Sequence, residues 1–221
     1  MKKVNLFCFI GITGTGKDFY LHLLSQDTSF MKKYNLTNLV YGTTRSKRKN
    51  EVDGVHYHFH SNEEYEKIPK EELIEFRSYY TLNDGEVSYF TKPEYINSDT
   101  NIICIASPYQ YESYRNWCNL EKIKKNSDID IHMIFINTDL KCRIERLMKR
   151  AKSDNDIYEM CRRIIQEKTE FEDVSKRIPE LIDPMQSINV CYIDNNCDES
   201  GVKYNLEKIK KYIKKCIEKS R

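Results

Sequence analysis

The chain has 221 residues, 36 of them basic and 34 acidic, for a formal net charge of +2. That balance gives bulk electrostatics no hold on nucleic acid or on an acidic membrane surface, and no apolar run nears the ~18 residues of a membrane span. With 39% hydrophobic and 32% charged residues, the composition is that of a soluble globular protein, one domain in length or one domain with inserted lobes.

The first element in the chain is the apolar run Val4–Ile10, which predicts a buried strand. It leads into "GITGTGK", where Gly11, Gly16 and Lys17 have the spacing G-x-x-x-x-G-K, and then into the helical stretch "KDFYLHLL". A glycine loop between strand and helix turns backbone N–H groups and a helix N-terminus toward phosphate, and Lys17 adds a full charge. Gly11, Ile12, Thr13, Gly14, Thr15, Gly16, Lys17 and Asp18 are therefore the candidate nucleotide-binding residues. After the lysine the pattern asks for Ser or Thr, whose hydroxyl holds magnesium, and this chain has Asp18 and then Phe19. A carboxylate brings oxygen ligands that suit a hard cation, but it repels phosphate if no metal intervenes. Both readings of Asp18 stand at this point.

From Tyr41 to Phe90 the chain is rich in Tyr, Phe, His and charge, and "VHYHF" alternates like an antiparallel strand. Ser61 and Glu64 form a capping box for a short helix through Ile68, closely followed by Pro69. A small, mostly β lobe inserted into the main domain is predicted. Within it, Arg45 and Arg48 flank Lys47, and Tyr57 follows. Two planar guanidinium forks and a phenol are the donors that a monophosphate needs. His56, His58 and His60 would share one strand face at alternate positions. No further ligand of fitting geometry accompanies them, so they read as a polar face rather than a zinc site.

Further on, Ile102–Ala106, Ile131–Ile136 and Val190–Ile193 are apolar without strict alternation, as strands covered on both faces are. Thr138 or Asp139 caps a helix whose stripe is Leu140, Ile144, Leu147, Met148 and Ala151, and Ile157–Phe171 continues with another. The Lys-rich end carries Leu206, Ile209, Ile213 and Cys216 at helical spacing, so its lysines form the solvated face of a docked helix. Strands alternating with helices mean an α/β domain with a mostly parallel sheet. The eight cysteines include no C-x-x-C pair, and Cys8, Cys104 and Cys191 lie in apolar runs. Reduced thiols in a cytoplasm-like compartment, with no signal peptide, are expected.

The lobe carries a more specific pattern. Thr43-Thr44-Arg45, Arg48, Glu51, Gly54, Tyr57 and Phe59 stand at the offsets of T-T-R-x-x-R-x-G-E-x-x-G-x-x-Y-x-F, with Asn50 in place of the glycine before the glutamate. With the glycine loop upstream, the chain resembles the guanylate kinases. That resemblance implies a P-loop NTPase-type parallel sheet flanked by helices, a β-rich acceptor lobe over 41–97, a helical lid over 141–171 and a core of 1–40, 98–140 and 172–221. It implies transfer of the ATP γ-phosphoryl group to GMP or dGMP with Mg²⁺, these nucleotides being the partners, with no nucleic acid and no membrane.

Residue by residue, the resemblance implies that Arg45, Arg48 and Tyr57 grip the GMP phosphate, with Tyr89 as a second phenol. Glu75 matches the carboxylate that accepts from guanine N1–H and the 2-amino group, and Thr91 matches a hydroxyl aimed at the base oxygen. Arg146, Arg150 and Arg163 match lid arginines that act on the transferring phosphoryl group beside Lys17, with Arg162 a competitor for the last role. Three departures bear on the base: Tyr41 replaces a small serine, Phe90 a glycine, and Ser107 a second acidic base-reader. The competing readings are a kinase of a related phosphorylated acceptor, favoured by Asp18 alone, and a guanylate-kinase-like binding module with weakened catalysis.

Overall fold

The computed structural model describes residues 3–81, 84–96, 99–125, 129–185, 190–196 and 199–220. Chain order gives β1 (Val4–Ile10), α1 (Lys17–Gln26), α2 (Thr28–Lys33), β2 (Leu36–Asn38), β3 (Gly42–Thr43), β4 (His58–Phe59), α3 (Asn62–Glu66), β5 (Glu75–Thr81) and β6 (Gly85–Thr91). Then come β7 (Asn101–Ile105), α4 (Pro108–Lys125), β8 (Ile129–Asn137), α5 (Leu140–Met148), α6 (Asp154–Ser175), α7 (Pro179–Ile182), β9 (Val190–Asp194) and α8 (Glu199–Lys219).

The main sheet has the order β2-β7-β1-β8-β9, and every pairing in it is parallel. Its central strand β1 is buried at all positions, and the strand's two-residue period divides it between two cores. Val4, Leu6, Cys8 and Ile10 face a layer made by Tyr111, Tyr114 and Cys118 of α4, Val174 of α6 and Leu181 of α7. Phe7 and Phe9 face Tyr20 and Leu24 of α1 and Ile209, Ile213 and Ile217 of α8. Each of those buried isoleucines contributes roughly 1.5–3 kcal/mol of burial, which is what docks the Lys-rich helix.

The apolar runs predict four of the five strands. The fifth, β2, has no apolar run to announce it: only Leu36 of its residues is buried, and Asn35 at φ 49° turns the chain into it. The stripe expected on α5 is also different in kind. Leu140, Ile144 and Met148 are exposed, and the buried residue of that helix is Arg143. Seven cysteines are free thiols, and Cys197 lies outside the described residues.

A second sheet has the order β4-β3-β6-β5. β5 and β6 form an antiparallel hairpin in the register Glu75↔Thr91, Arg77↔Tyr89 and Tyr79↔Val87. The expected antiparallel strand "VHYHF" is instead the two-residue β4, which runs parallel to β3. His56 sits in the turn before it, where its Nδ1 accepts from the Val52 N–H at 3.0 Å, so the three histidines do not share a strand face. His58 stacks on Tyr95 at 4.2 Å and the His60 Nε2 lies 3.0 Å from the Tyr95 hydroxyl. The capping box of Ser61 and Glu64 is formed.

Phe90 points to the opposite side of the hairpin from Glu75. A Cβ on Gly42 would lie 2.4 Å from the Phe90 ring, so only glycine lets the two strands meet there. The expected division at 171/172 falls inside α6, and the one at 97/98 lies outside the described residues.

Candidate active site

The loop Gly11–Lys17 leaves the C-terminal end of β1, in the middle of the parallel sheet. Gly16 adopts φ 94° as the N-cap of α1, a left-handed conformation that side chains disfavour. A Cβ there would also stand 2.7 Å from the Asn195 amide nitrogen, and one on Gly11 would stand 2.5 Å from the Ile136 carbonyl. The loop is braced through its backbone. Thr15 N–H and hydroxyl both donate to the Ile12 carbonyl, at 3.1 and 2.8 Å. The Thr15 carbonyl accepts from Asn195 Nδ2 at 2.7 Å and from the Thr138 hydroxyl at 3.2 Å.

The Lys17 side chain is largely covered, and its ammonium lies 3.8 Å from the Asp18 carboxylate, which is itself 77% exposed. Asp18 stands in the first turn of α1, where a negative charge is favoured. The Thr15 hydroxyl proton is held by the Ile12 carbonyl, and Asp18 places an exposed carboxylate directly after the loop lysine. No cluster of three or more His, Cys, Asp or Glu side chains suited to a metal occurs among the described residues. One carboxylate completed by substrate phosphates and water fits magnesium's habits.

Two helices lean on this loop. Arg143 of α5 is buried and points Nη1 at the Thr13 carbonyl at 3.5 Å, and burial lowers its pKa. Glu167 of α6 accepts from the Thr13 N–H, and Arg163 pairs with Glu167 at 3.5 Å. Arg162 is turned to Glu159 and Gln166 on its own helix. Arg146 Nη2 donates to the Asn195 carbonyl at 2.7 Å, whereas Arg150 is exposed and reaches only the Arg146 carbonyl at 3.4 Å. The expected lid arginines are thus not gathered on the loop: Arg163 reaches it through Glu167, and Arg146 through Thr138 and Asn195.

In the second sheet Arg45 is nearly buried, and its guanidinium donates to Glu51 Oε1 and to the Ser46 carbonyl, both at 2.7 Å. The Arg48 N–H donates to Glu51 Oε2 at 2.9 Å, while its side chain is exposed. The Arg45 side chain and the Arg48 N–H hold the Glu51 carboxyl down to about 2. Arg45 lies 5.3 Å from the Tyr57 ring, and Tyr57 packs edge-on to Tyr89 at 5.8 Å. Burial raises the Tyr57 pKa, so it is a neutral phenol at ordinary pH.

Next along the hairpin face comes a cavity of about 540 Å³ lined by Glu75, Arg77, Tyr79, Ser107, Gln110 and Glu170 among others. The Arg77 guanidinium lies 5.7 Å from the Tyr89 ring and 5.9 Å from that of Tyr41, and donates to Glu75 Oε2 at 2.9 Å. Tyr41 is anchored by its hydroxyl, which donates to the Ile105 carbonyl at 2.5 Å. Thr91 lies behind Glu75, fully buried, with its hydroxyl donating to Glu75 Oε1 at 2.8 Å.

Ser107 is a helix cap: its Oγ accepts from the Gln110 N–H at 3.3 Å and its N–H donates to Gln110 Oε1 at 2.9 Å. Among the described residues, Gln110 Nε2 is buried without a hydrogen-bond partner. The spacing Ser107-x-x-Gln110 before a helix is the readable signal for that cap. Sequence reasoning passed over Arg77, Arg143, Glu167 and Asn195. Only Arg77 had a local signal, standing two residues after Glu75 on one strand face.

A glycine loop on a parallel α/β sheet, together with a second sheet bearing paired arginines and tyrosines, has the parts of a phosphate-loop kinase architecture. The profile of the guanylate kinase family matches residues 3–106. The guanylate kinase of Mycoplasmopsis pulmonis is 28% identical over 176 residues, 71% of this chain and 85% of that protein. That of Mycoplasma mycoides subsp. mycoides is 36% identical over 104 residues, 47% of this chain but 33% of that protein. The crystal structure of guanylate kinase from Anaplasma phagocytophilum superposes with a TM-score of 0.50 at 15% identity, covering 97% of this chain and 86% of its own, a likeness of fold. The chain is thus similar to guanylate kinases in sequence, with the family profile confined to residues 3–106, and in fold. No helix among the described residues is long and apolar enough to cross a membrane.

Proposed function

We propose that this protein transfers the γ-phosphoryl group of ATP to GMP or dGMP, giving ADP and GDP or dGDP. What carries the reading is one continuous row in the second sheet's lobe, Arg45–Tyr57–Tyr89–Arg77–Glu75, in a chain that also has a braced phosphate loop. Residues 1–40, 98–140 and 172–221 then serve as nucleotide core, 41–97 as acceptor lobe and 141–171 as lid.

Phosphoryl transfer needs positioning and charge neutralisation more than covalent help. Lys17 and the loop N–H groups bind the outer ATP phosphates. Arg45, Arg48 and the Tyr57 and Tyr89 hydroxyls orient the acceptor phosphate, which is ionised at neutral pH, so no protein base is required. Glu75 accepts from the guanine N1–H and 2-amino group. Arg146, Arg150 and Arg163 offset charge on the transferring group when 141–171 closes, which also excludes water. Mg²⁺, when bound with ATP, supplies further neutralisation of the phosphates, and Asp18 is the residue that would hold it.

One contact favours the weakened binding-module reading: the Glu167 carboxylate takes the Thr13 N–H, a donor that an ATP phosphate would use. A coupled ADP-release assay with GMP, dGMP, AMP, UMP and CMP decides between them. Magnesium-dependent turnover with GMP is expected, and turnover with none of the five would leave the binding module or a kinase of another phosphorylated acceptor.

Asp18 gives a second test. Asp18→Asn should raise the magnesium concentration for half-maximal activity, and Asp18→Ser should largely preserve turnover. ATP affinity measured with and without magnesium should show Asp18 helping only when the metal is present. If Asp18→Ser turned an inactive protein into an active one, Asp18 would be a repulsive relic instead.

A further inference from the structure

Resting on the kinase reading, we propose that Arg77 is the residue that recognises the 6-oxo group of the acceptor base, in place of Thr91. The register of the hairpin sets up the substitution. Glu75 stands opposite Thr91, so the Thr91 hydroxyl proton is committed to Glu75 Oε1 at 2.8 Å. The Tyr114 hydroxyl closes on the same Thr91 oxygen at 2.9 Å, and Thr91 has no exposed surface. Thr91 therefore orients Glu75 from behind and has no donor to offer the cavity.

Arg77 has the donors that Thr91 lacks. Two residues along the same strand face, it lines the cavity and its side chain is 27% exposed, against 4% for Glu75. A guanidinium carries five N–H donors in a planar fork, and among the described residues its one side-chain hydrogen bond is that from Nη1 to Glu75. The Tyr41 and Tyr89 rings lie against it, with centroids 5.9 and 5.7 Å from the guanidinium carbon. The chemistry then selects the base edge. A carbonyl oxygen accepts from the fork, whereas an amino group at the same ring position sets donor against donor. The Glu75–Arg77 pair offers an acceptor and a donor side by side, the complement of an N1–H beside a 6-oxo group. A 6-oxopurine monophosphate fits this pair and a 6-aminopurine does not.

The test measures kcat/KM and calorimetric affinity for GMP, IMP and AMP in wild type, Arg77→Met and Arg77→Gln. Arg77→Met should weaken GMP and IMP alike by at least ~10-fold, as expected for loss of a charge-assisted hydrogen bond, while AMP is unchanged or improves. Arg77→Gln, which keeps a neutral N–H donor, should recover part of the loss, and the KM for ATP should not move. Equal loss on all three nucleotides would make Arg77 a structural partner of Glu75 and overturn the proposal. So would a loss on GMP that spares IMP, because the effect would then run through the 2-amino group. A wild-type protein that binds GMP without phosphorylating it sinks the kinase reading alone. An active wild type whose Arg77→Met variant keeps the same GMP-to-AMP ratio sinks the Arg77 assignment alone.

Discussion

Lys17→Ala is expected to lower phosphoryl transfer by at least ~100-fold, on the scale of removing one preorganised donor from a developing charge, while the protein remains folded. The two halves of that expectation have separate physical causes. The loop's shape does not depend on the lysine side chain: it is set by the φ of Gly16 and by bonds to the Thr15 backbone from Asn195 and Thr138. The side chain itself is covered, and its nearest carboxylate, at 3.8 Å, is mostly exposed, so that ion pair contributes little to stability. A covered ammonium at the end of a glycine loop is left with its charge available to a phosphate. The measurement is a steady-state rate beside a thermal midpoint, which should move by no more than a few degrees, since ~1 kcal/mol corresponds to about 2–4 °C at this chain length. Activity within about threefold of wild type would remove Lys17 from the chemistry.

The loop was legible because everything that makes it, strand, glycines, lysine and helix, lies within one short stretch of chain. The same holds for the capping box at Ser61 and for the signature residues from Thr43 to Phe59. What brings Glu167, Arg143 and Asn195 to the loop is tertiary packing across more than 100 residues, and no local pattern encodes it. α5 shows how a periodic stripe misleads. Leu140, Ile144 and Met148 have helical spacing, yet the helix turns Arg143 inward, where it meets the Thr13 carbonyl. Thr91 is a different case. Its match to the family position holds in sequence, and the strand register then gives its hydroxyl to Glu75. β4 was misread because alternation persists over residues that form only two ladder pairs.

Arg45→Ala is expected to cut kcat/KM for GMP by about 100-fold or more, beyond the loss of a single charged hydrogen bond, because two effects add. The first is removal of a guanidinium fork held in place before substrate arrives: Glu51 and the Ser46 carbonyl fix it at 2.7 Å each, with the Tyr57 ring beside it. The second is exposure of the Glu51 carboxylate. That carboxyl is held down to about 2 by Arg45 first and by the Arg48 N–H second. Without Arg45 its pKa rises, but a carboxylate at its ordinary value is still charged at neutral pH. The acceptor phosphate would then meet a negative charge where it had met a fork. Arg45→Ala combined with Glu51→Gln should therefore recover part of the loss, whereas Glu51→Gln alone should cost less than Arg45→Ala, since it loosens the fork without removing it. The KM for ATP should stay near its wild-type value in all three variants. A double variant no better than Arg45→Ala would assign the whole effect to the missing fork, and a fall in ATP affinity with GMP affinity intact would place the donor nucleotide, not the acceptor, at the Arg45–Tyr57–Tyr89 face.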